Sequence, residues 1–142
     1  MPDTHPFRSG CPISTTLDIL GDRWSMLILR DMAFEGATSF SAFAAAEEKI
    51  ATNILSDRLA RLAAHGLIAA EKDPVDGRRT RYRLTEKGWD YVPVLLEIIL
   101  WAAKHEDTLS PPPVVAAIRA DRAGFLARLR DARAAGAPGL RG

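Results

Sequence analysis

Between positions 58 and 83 of this 142-residue chain stand seven basic side chains and three acidic ones, although the whole carries a formal charge of only +1. Arg78, Arg79, Arg81 and Arg83 form the dense end of that cluster. A guanidinium is a planar fork of N–H donors that matches phosphate oxygens, so a row of them grips a polyanion or probes a minor groove. Upstream lie Thr52, Asn53, Ser56 and Asp57, short polar side chains whose spacing puts them on one side of a helix, with Arg58 and Arg61 flanking them. Side chains of that size read base edges, and a carboxylate such as Asp57 accepts from cytosine. Both groups suit the groove of double-stranded DNA. Arginines on the outer face of a small sheet can also do no more than hydrate it. Their concentration in a nearly neutral chain favours the polyanion over that plainer role.

Cys11 is the lone cysteine, so no internal disulfide is expected, which fits a reducing cytoplasm. It precedes Pro12 and a first helix, whose N-terminal amides favour a thiolate. A mixed disulfide or an intersubunit disulfide is the chemistry open to it. The plainer reading is a half-buried packing residue. His5, His65 and His105 have no partner at metal-ligand spacing. The serines fall in no nucleophile-elbow pattern and no glycine-rich phosphate loop is present. No metal, no cofactor and no enzymatic site are expected.

Positioning the polar and basic groups takes a helix, a hairpin and the pieces that hold them. Leu55, Leu59 and Leu62 recur at i, i+4, i+7, the apolar face of a helix over about 51–65. Gly66 stands where a C-cap glycine belongs. Residues 67–72 and 79–84 read as strands joined by Asp73-Pro74-Val75-Asp76-Gly77, where Asp-Gly can take the positive φ of a tight hairpin. The returning strand alternates, with Tyr82 and Leu84 on one side and Arg79, Arg81 and Arg83 on the other. Ahead of these, helices are expected over about 13–20, from an Asp22 cap to about Phe34, and over about 41–46.

The helix after Thr85 is apolar over most of its circumference from Val94 to Ala103. One small domain does not cover such a helix, so a second copy of the chain is expected on it, at Leu96, Ile99, Leu100 and Trp101. Sandwiching within one protomer is the alternative. Pro93 should bend this helix. Residues 109–113 form a stiff proline-rich break, 114–134 read as one amphipathic helix on the dimer seam, and 135–142 as a frayed tail. The expected division is a flexible arm over 1–10, a domain over 11–107 and a C-terminal segment over 108–142. No apolar run is long enough to span a bilayer and residues 1–10 lack a signal-peptide core, so a cytoplasmic protein without a membrane partner is expected.

In order along the chain, Cys11-Pro12, Leu17-Asp18-Ile19-Leu20-Gly21-Asp22-Arg23-Trp24, Leu27-Ile28-Leu29-Arg30, Phe40, Ile50, Leu55, Arg58-Leu59, Leu62, Gly66-Leu67-Ile68, Tyr82, Leu84-Thr85-Glu86-Lys87-Gly88 and Trp101 resemble the HxlR-type winged helix-turn-helix regulators. The wing, from Asp76 to Tyr82, is closer to MarR-type regulators, and Ala51-Thr52-Asn53 lacks the basic residues often found there. The resemblance implies a mainly α fold with a small β-hairpin, a winged helix-turn-helix with flanking dimerisation helices. It also implies a homodimeric bacterial transcription factor, read here as a repressor on an inverted repeat with half-sites about one helical turn, roughly 34–36 Å, apart. Thr52, Asn53 and Ser56 would lie nearest the base edges, flanked by Arg58 and Arg61, with a structural ion pair the other role open to Arg58. Arg78, Arg79 and Arg81 would hold phosphates. Cys11 would sense oxidants or electrophiles. Two other readings stay open: a MarR-type regulator controlled by a small aromatic or phenolic molecule, and a winged helix used only to bind protein.

Overall fold

The computed structural model describes residues 7–140. Helix α1 (Pro12–Leu20) is followed by α2 (Ser25–Arg30), which runs on into a π-helical turn (Asp31–Glu35). Then come α3 (Phe40–Ala44), α4 (Thr52–Ala64), the strands β1 (Ile68–Lys72) and β2 (Thr80–Leu84), and helices α5 (Glu86–His105), α6 (Pro112–Ala120) and α7 (Arg122–Ala134). This is a mainly α fold with one antiparallel hairpin, in which α3 and α4 form the helix-turn-helix and β1–β2 the wing.

Leucine spacing explains α4. Leu55, Leu59 and Leu62 are buried in one core with Ile28, Leu29 and Phe43, each worth about 1.5–3 kcal/mol relative to exposure. Gly66, at φ +76°, turns the chain out of the helix, and the Leu67 amide donates back to the Leu62 carbonyl at 3.0 Å, closing the helix end. The strands pair from Ile68 opposite Leu84 to Lys72 opposite Thr80. Thr85 then caps α5 by accepting from the Gly88 amide at 3.2 Å. Gly88 must be glycine because a Cβ there would lie 2.2 Å from the Leu67 carbonyl oxygen.

Several expectations are corrected. Trp24, not Asp22, stands at the N-cap of α2, and Asp22 holds the turn before it by accepting from the Trp24 and Ser25 amides. The helix reaches the expected end, but its last turn is π-wound and closes at Gly36, φ +74°. The segment over 114–134 is two helices. Asp121 takes an extended φ of −158° and accepts from the Gly124 amide at 2.9 Å, so it starts α7 and ends α6. Both pack on α5, and Val115, Ile118, Phe125 and Leu129 join the common core. The tail is held, not frayed, as far as it is described. The Leu140 amide donates to the Phe34 carbonyl at 3.0 Å, and Arg133 donates to the Pro138 carbonyl at 2.9 Å. Residues 1–6 of the expected arm, His5 among them, lie outside the described residues. Phe7 stacks on His65 at 6.3 Å between ring centroids, and the Arg8 amide donates to Asp18.

The expected partner-facing set on α5 divides. Leu96 and Leu100 are 1% and 7% exposed, taken up inside the protomer because α2, α6 and α7 all pack on α5. Ile99 is half-buried and Trp101 is 63% exposed. Exposed apolar groups on α5 are instead Val94, Ile98 and Trp101, at i, i+4, i+7 on one face. Ile13 and Leu17 make a second exposed stripe on α1.

Candidate nucleic-acid interface

Helix α4 has three distinct faces. The leucine stripe points into the core. On the outer face Thr52, Asn53, Ser56, Asp57 and Ala60 are all exposed. Ala51 at the N-cap offers no side-chain acceptor, so the first-turn amides of this face stay open for solvent or a phosphate. That opening at the helix start carries no basic residue. It lies in the N-cap alanine and not in any charged side chain.

Arg58 and Arg61 occupy the third face, beside the outer one, and Arg58 takes the structural ion pair that was the other role open to it. The Arg58 Nε donates to Asp22 Oδ1 at 3.0 Å, while its Nη1 pairs with Asp57. Arg61 Nη2 donates to the Asp18 carbonyl at 3.2 Å. Both guanidiniums therefore hold α1 and the turn after it. Asp22 also accepts from the Trp24 and Ser25 amides at 2.9 and 3.0 Å and from the Ser25 hydroxyl at 2.6 Å. Burial alone would raise its pKa, but those donors and Arg58 outweigh it and hold the carboxyl at about 2.

The turn between α3 and α4 is fixed from behind. Arg30 makes a bidentate pair with Glu48 at 2.5 and 2.9 Å and also bonds Asp31. Lys49, the next residue, adopts a left-handed φ of +55°. Here the chain reverses to aim α4 outward.

The wing is a longer loop than the tight turn expected. Strand β1 ends at Lys72 and β2 begins at Thr80, and Gly77 is not among the positive-φ glycines. Two aspartates do the turning. Asp73 Oδ1 accepts from the Val75 and Asp76 amides at 2.8 and 3.1 Å, and Asp76 Oδ1 accepts from the Arg78 amide at 3.1 Å. Backbone amides hold Asp73 below the usual carboxylate range, and the Arg78 guanidinium and amide do the same for Asp76. Asp76 also pairs with Arg78 at 3.2 Å and Arg79 at 3.7 Å. Each guanidinium has five N–H donors, so both keep donors free for a phosphate. Arg78 and Arg79 side chains, in the loop, are 91% and 74% exposed, and Arg81 is exposed on β2 just after it. The sequence signal for these organising aspartates is Asp73-Pro74-Val75-Asp76, and the Asp76-Gly77 pair that ends it does not supply a positive φ.

Wing and helix-turn-helix are joined through β2. Tyr82 sits edge-on to Phe43 of α3, ring centroids 5.9 Å apart. Cys11 lies exposed at the N-cap of α1, its carbonyl accepting from the Thr15 amide at 2.9 Å. Among the described residues no group of histidine, cysteine and carboxylate side chains is placed to hold a metal, and no helix is long and apolar enough to cross a membrane.

Known proteins share this fold. The HxlR-like helix-turn-helix family model matches residues 19–110. The uncharacterized HTH-type transcriptional regulator YdeP of Bacillus subtilis is 33% identical over 100 residues, 70% of this chain and 77% of YdeP. The crystal structure of PA1607 superposes with a TM-score of 0.64 at 39% identity, covering 73% of this chain and 71% of that one. The oxidised form of the redox regulator HypR superposes with a TM-score of 0.60 at 26% identity, covering 69% of this chain and all of HypR, 100%. The chain belongs to the HxlR-like helix-turn-helix family of transcriptional regulators.

Proposed function

We propose that the protein is a cytoplasmic, homodimeric repressor that binds an inverted-repeat operator in double-stranded DNA and responds to oxidants or electrophiles through Cys11. The observation that carries DNA contact is the pairing of an exposed short-polar face on α4 with a wing whose Arg78, Arg79 and Arg81 stand in solvent. Thr52, Asn53, Ser56 and Asp57 reach base edges in the major groove, and the wing holds phosphates beside it or enters the adjacent minor groove. The exposed stripes on α5 and α1 support the dimer, since an isologous contact covers the same patches on both copies at once. Val94, Ile98 and Trp101 take the place of Leu96 and Leu100 at that contact.

Support for the thiol comes from the exposure of Cys11 at a helix N-cap and from the likeness to HypR, a redox regulator. A small-molecule effector is less well supported. Trp89 is buried beneath the Arg130 guanidinium, 5.4 Å from its ring, and the Tyr91 hydroxyl is engaged with Met26 Sδ. A cleft of about 420 Å³ between the π-helical turn and α3 is lined by Asp31, Glu35 and Glu47 and not by those aromatics.

The test is a salt titration of binding to random duplex DNA. Wild-type affinity should fall steeply with salt, and Arg79→Ala with Arg81→Ala should weaken binding to all sequences and reduce the log–log slope by about 2. No salt-sensitive binding by the wild-type protein would leave a protein-interaction module in its place.

A further inference from the structure

The third face of α4 has a consequence for how the dimer meets DNA. Arg58, Arg61 and His65 recur at i, i+3, i+7, and each touches the chain before α2: Arg58 at Asp22, Arg61 at the Asp18 carbonyl, His65 at the Phe7 ring. Beyond these ties α1 is held mainly at its C-terminal end, where Ile19 packs against the core. Leu20, at its C-terminal end, is its one buried residue, and Ile13 and Leu17 are 73% and 57% exposed. A short helix pinned at one end and steered by two guanidiniums is a lever whose angle follows α4.

Resting on the reading of the protein as a dimeric DNA-binding regulator, we propose that Arg58 and Arg61 are positioning residues. They fix the angle between the recognition helix and α1, whose exposed stripe a second copy covers, and so set which half-site spacing the dimer accepts. The lever arm is long enough for this. From Leu20 to Ile13 is about 10 Å along the helix axis, so a rotation of about 20° moves Ile13 by about 3.5 Å, roughly one base-pair step of 3.4 Å. Bonds of the kind made here resist such a rotation. Arg58 donates to a carboxylate, and Arg61 spans to a main-chain oxygen that substitutions at Asp18 cannot remove.

Arg58→Met with Arg61→Met keeps the aliphatic stems and removes both ties. The probe is the duplex that wild-type protein enriches from a randomised pool, rebuilt with the spacer one base pair longer and one shorter, together with a single half-site duplex. The wild type should prefer its own spacing by about tenfold or more. The double variant should bind the half-site within about twofold of wild type, with the same salt slope, yet lose most of the spacing preference. An unchanged spacing preference overturns the inference. So does a loss of half-site affinity with a shallower salt slope, since that makes the arginines direct phosphate contacts. Where the double variant melts too low to assay, Arg61→Met alone answers the same question, because it strands no carboxylate. A wild-type protein that enriches no duplex overturns the DNA-binding reading and this inference with it.

Discussion

The Tyr82 amide donates to the Thr38 carbonyl across 2.9 Å, so the returning strand of the wing is hydrogen-bonded to the loop that enters α3. With the Tyr82 ring against Phe43, the hairpin is held to the helix-turn-helix at both backbone and side chain. The wing arginines are thereby aimed by the same core that aims α4. A loosely tethered wing would lose orientation entropy on binding; this one is already ordered.

Replacing Tyr82 with Ala removes the edge contact and leaves every arginine in place. Chemical denaturation should show a loss of about 1–2 kcal/mol, less than for a fully buried aromatic because Tyr82 is half-buried. DNA affinity at constant salt should fall although the charge is unchanged. Unaltered affinity in the folded variant would mean that the wing is not oriented through this contact.

Asp22 makes stability depend on acid. Its folded pKa, about 2, lies below the ordinary 3.8, so its bonds stabilise the fold fully above about pH 4. That contribution is lost as pH falls through 4 toward 2. The side chain is 19% exposed, and the whole effect is at most about 2 kcal/mol. Melting curves of Asp22→Asn should lie below wild type at pH 7, and the gap should close by pH 2. A gap that stays constant with pH would remove Asp22 from this role.

Much of this was legible in the chain. The leucine period of α4, the Gly66 stop and the alternation of β2 are local signals, and each is carried by neighbouring residues. The partners of Arg58 and Arg61 were not legible, because Asp22 lies 36 positions away and Asp18 offers a main-chain oxygen 43 away. No side-chain pattern records a bond to a carbonyl. The break at Asp121 was hidden for another reason. Apolar residues continue in helical period on both sides of it, and only the Asp-x-x-Gly cap marks the restart. Circumferential apolarity of α5 was read as room for a partner, when α6 and α7 of the same chain take much of it.

The surviving exposed stripe predicts where dimerisation fails. Ile98→Glu with Trp101→Glu places two carboxylates on a surface that the proposed contact dehydrates. Sedimentation equilibrium should give a dimer for wild type and a monomer for the variant at the same micromolar concentration, with the thermal transition of the protomer largely kept. Equal masses would move the dimer contact elsewhere.

Cys11 should react with iodoacetamide faster than free cysteine does, given its place at the start of α1. Diamide should release wild-type protein from DNA and leave Cys11→Ser bound. A thiol no more reactive than free cysteine would end the sensor role and leave the DNA-binding role standing.

The most direct measurement is a hydroxyl-radical footprint on the duplex that the full chain enriches from a randomised pool. Two protected patches related by a two-fold axis should appear, centred about 34–36 Å apart, each flanked by a weaker patch that Arg79→Ala with Arg81→Ala erases. Uniform cleavage along the duplex at saturating protein, or protection that the wing substitutions leave intact, would contradict the assignment of α4 and the wing as one DNA-gripping surface.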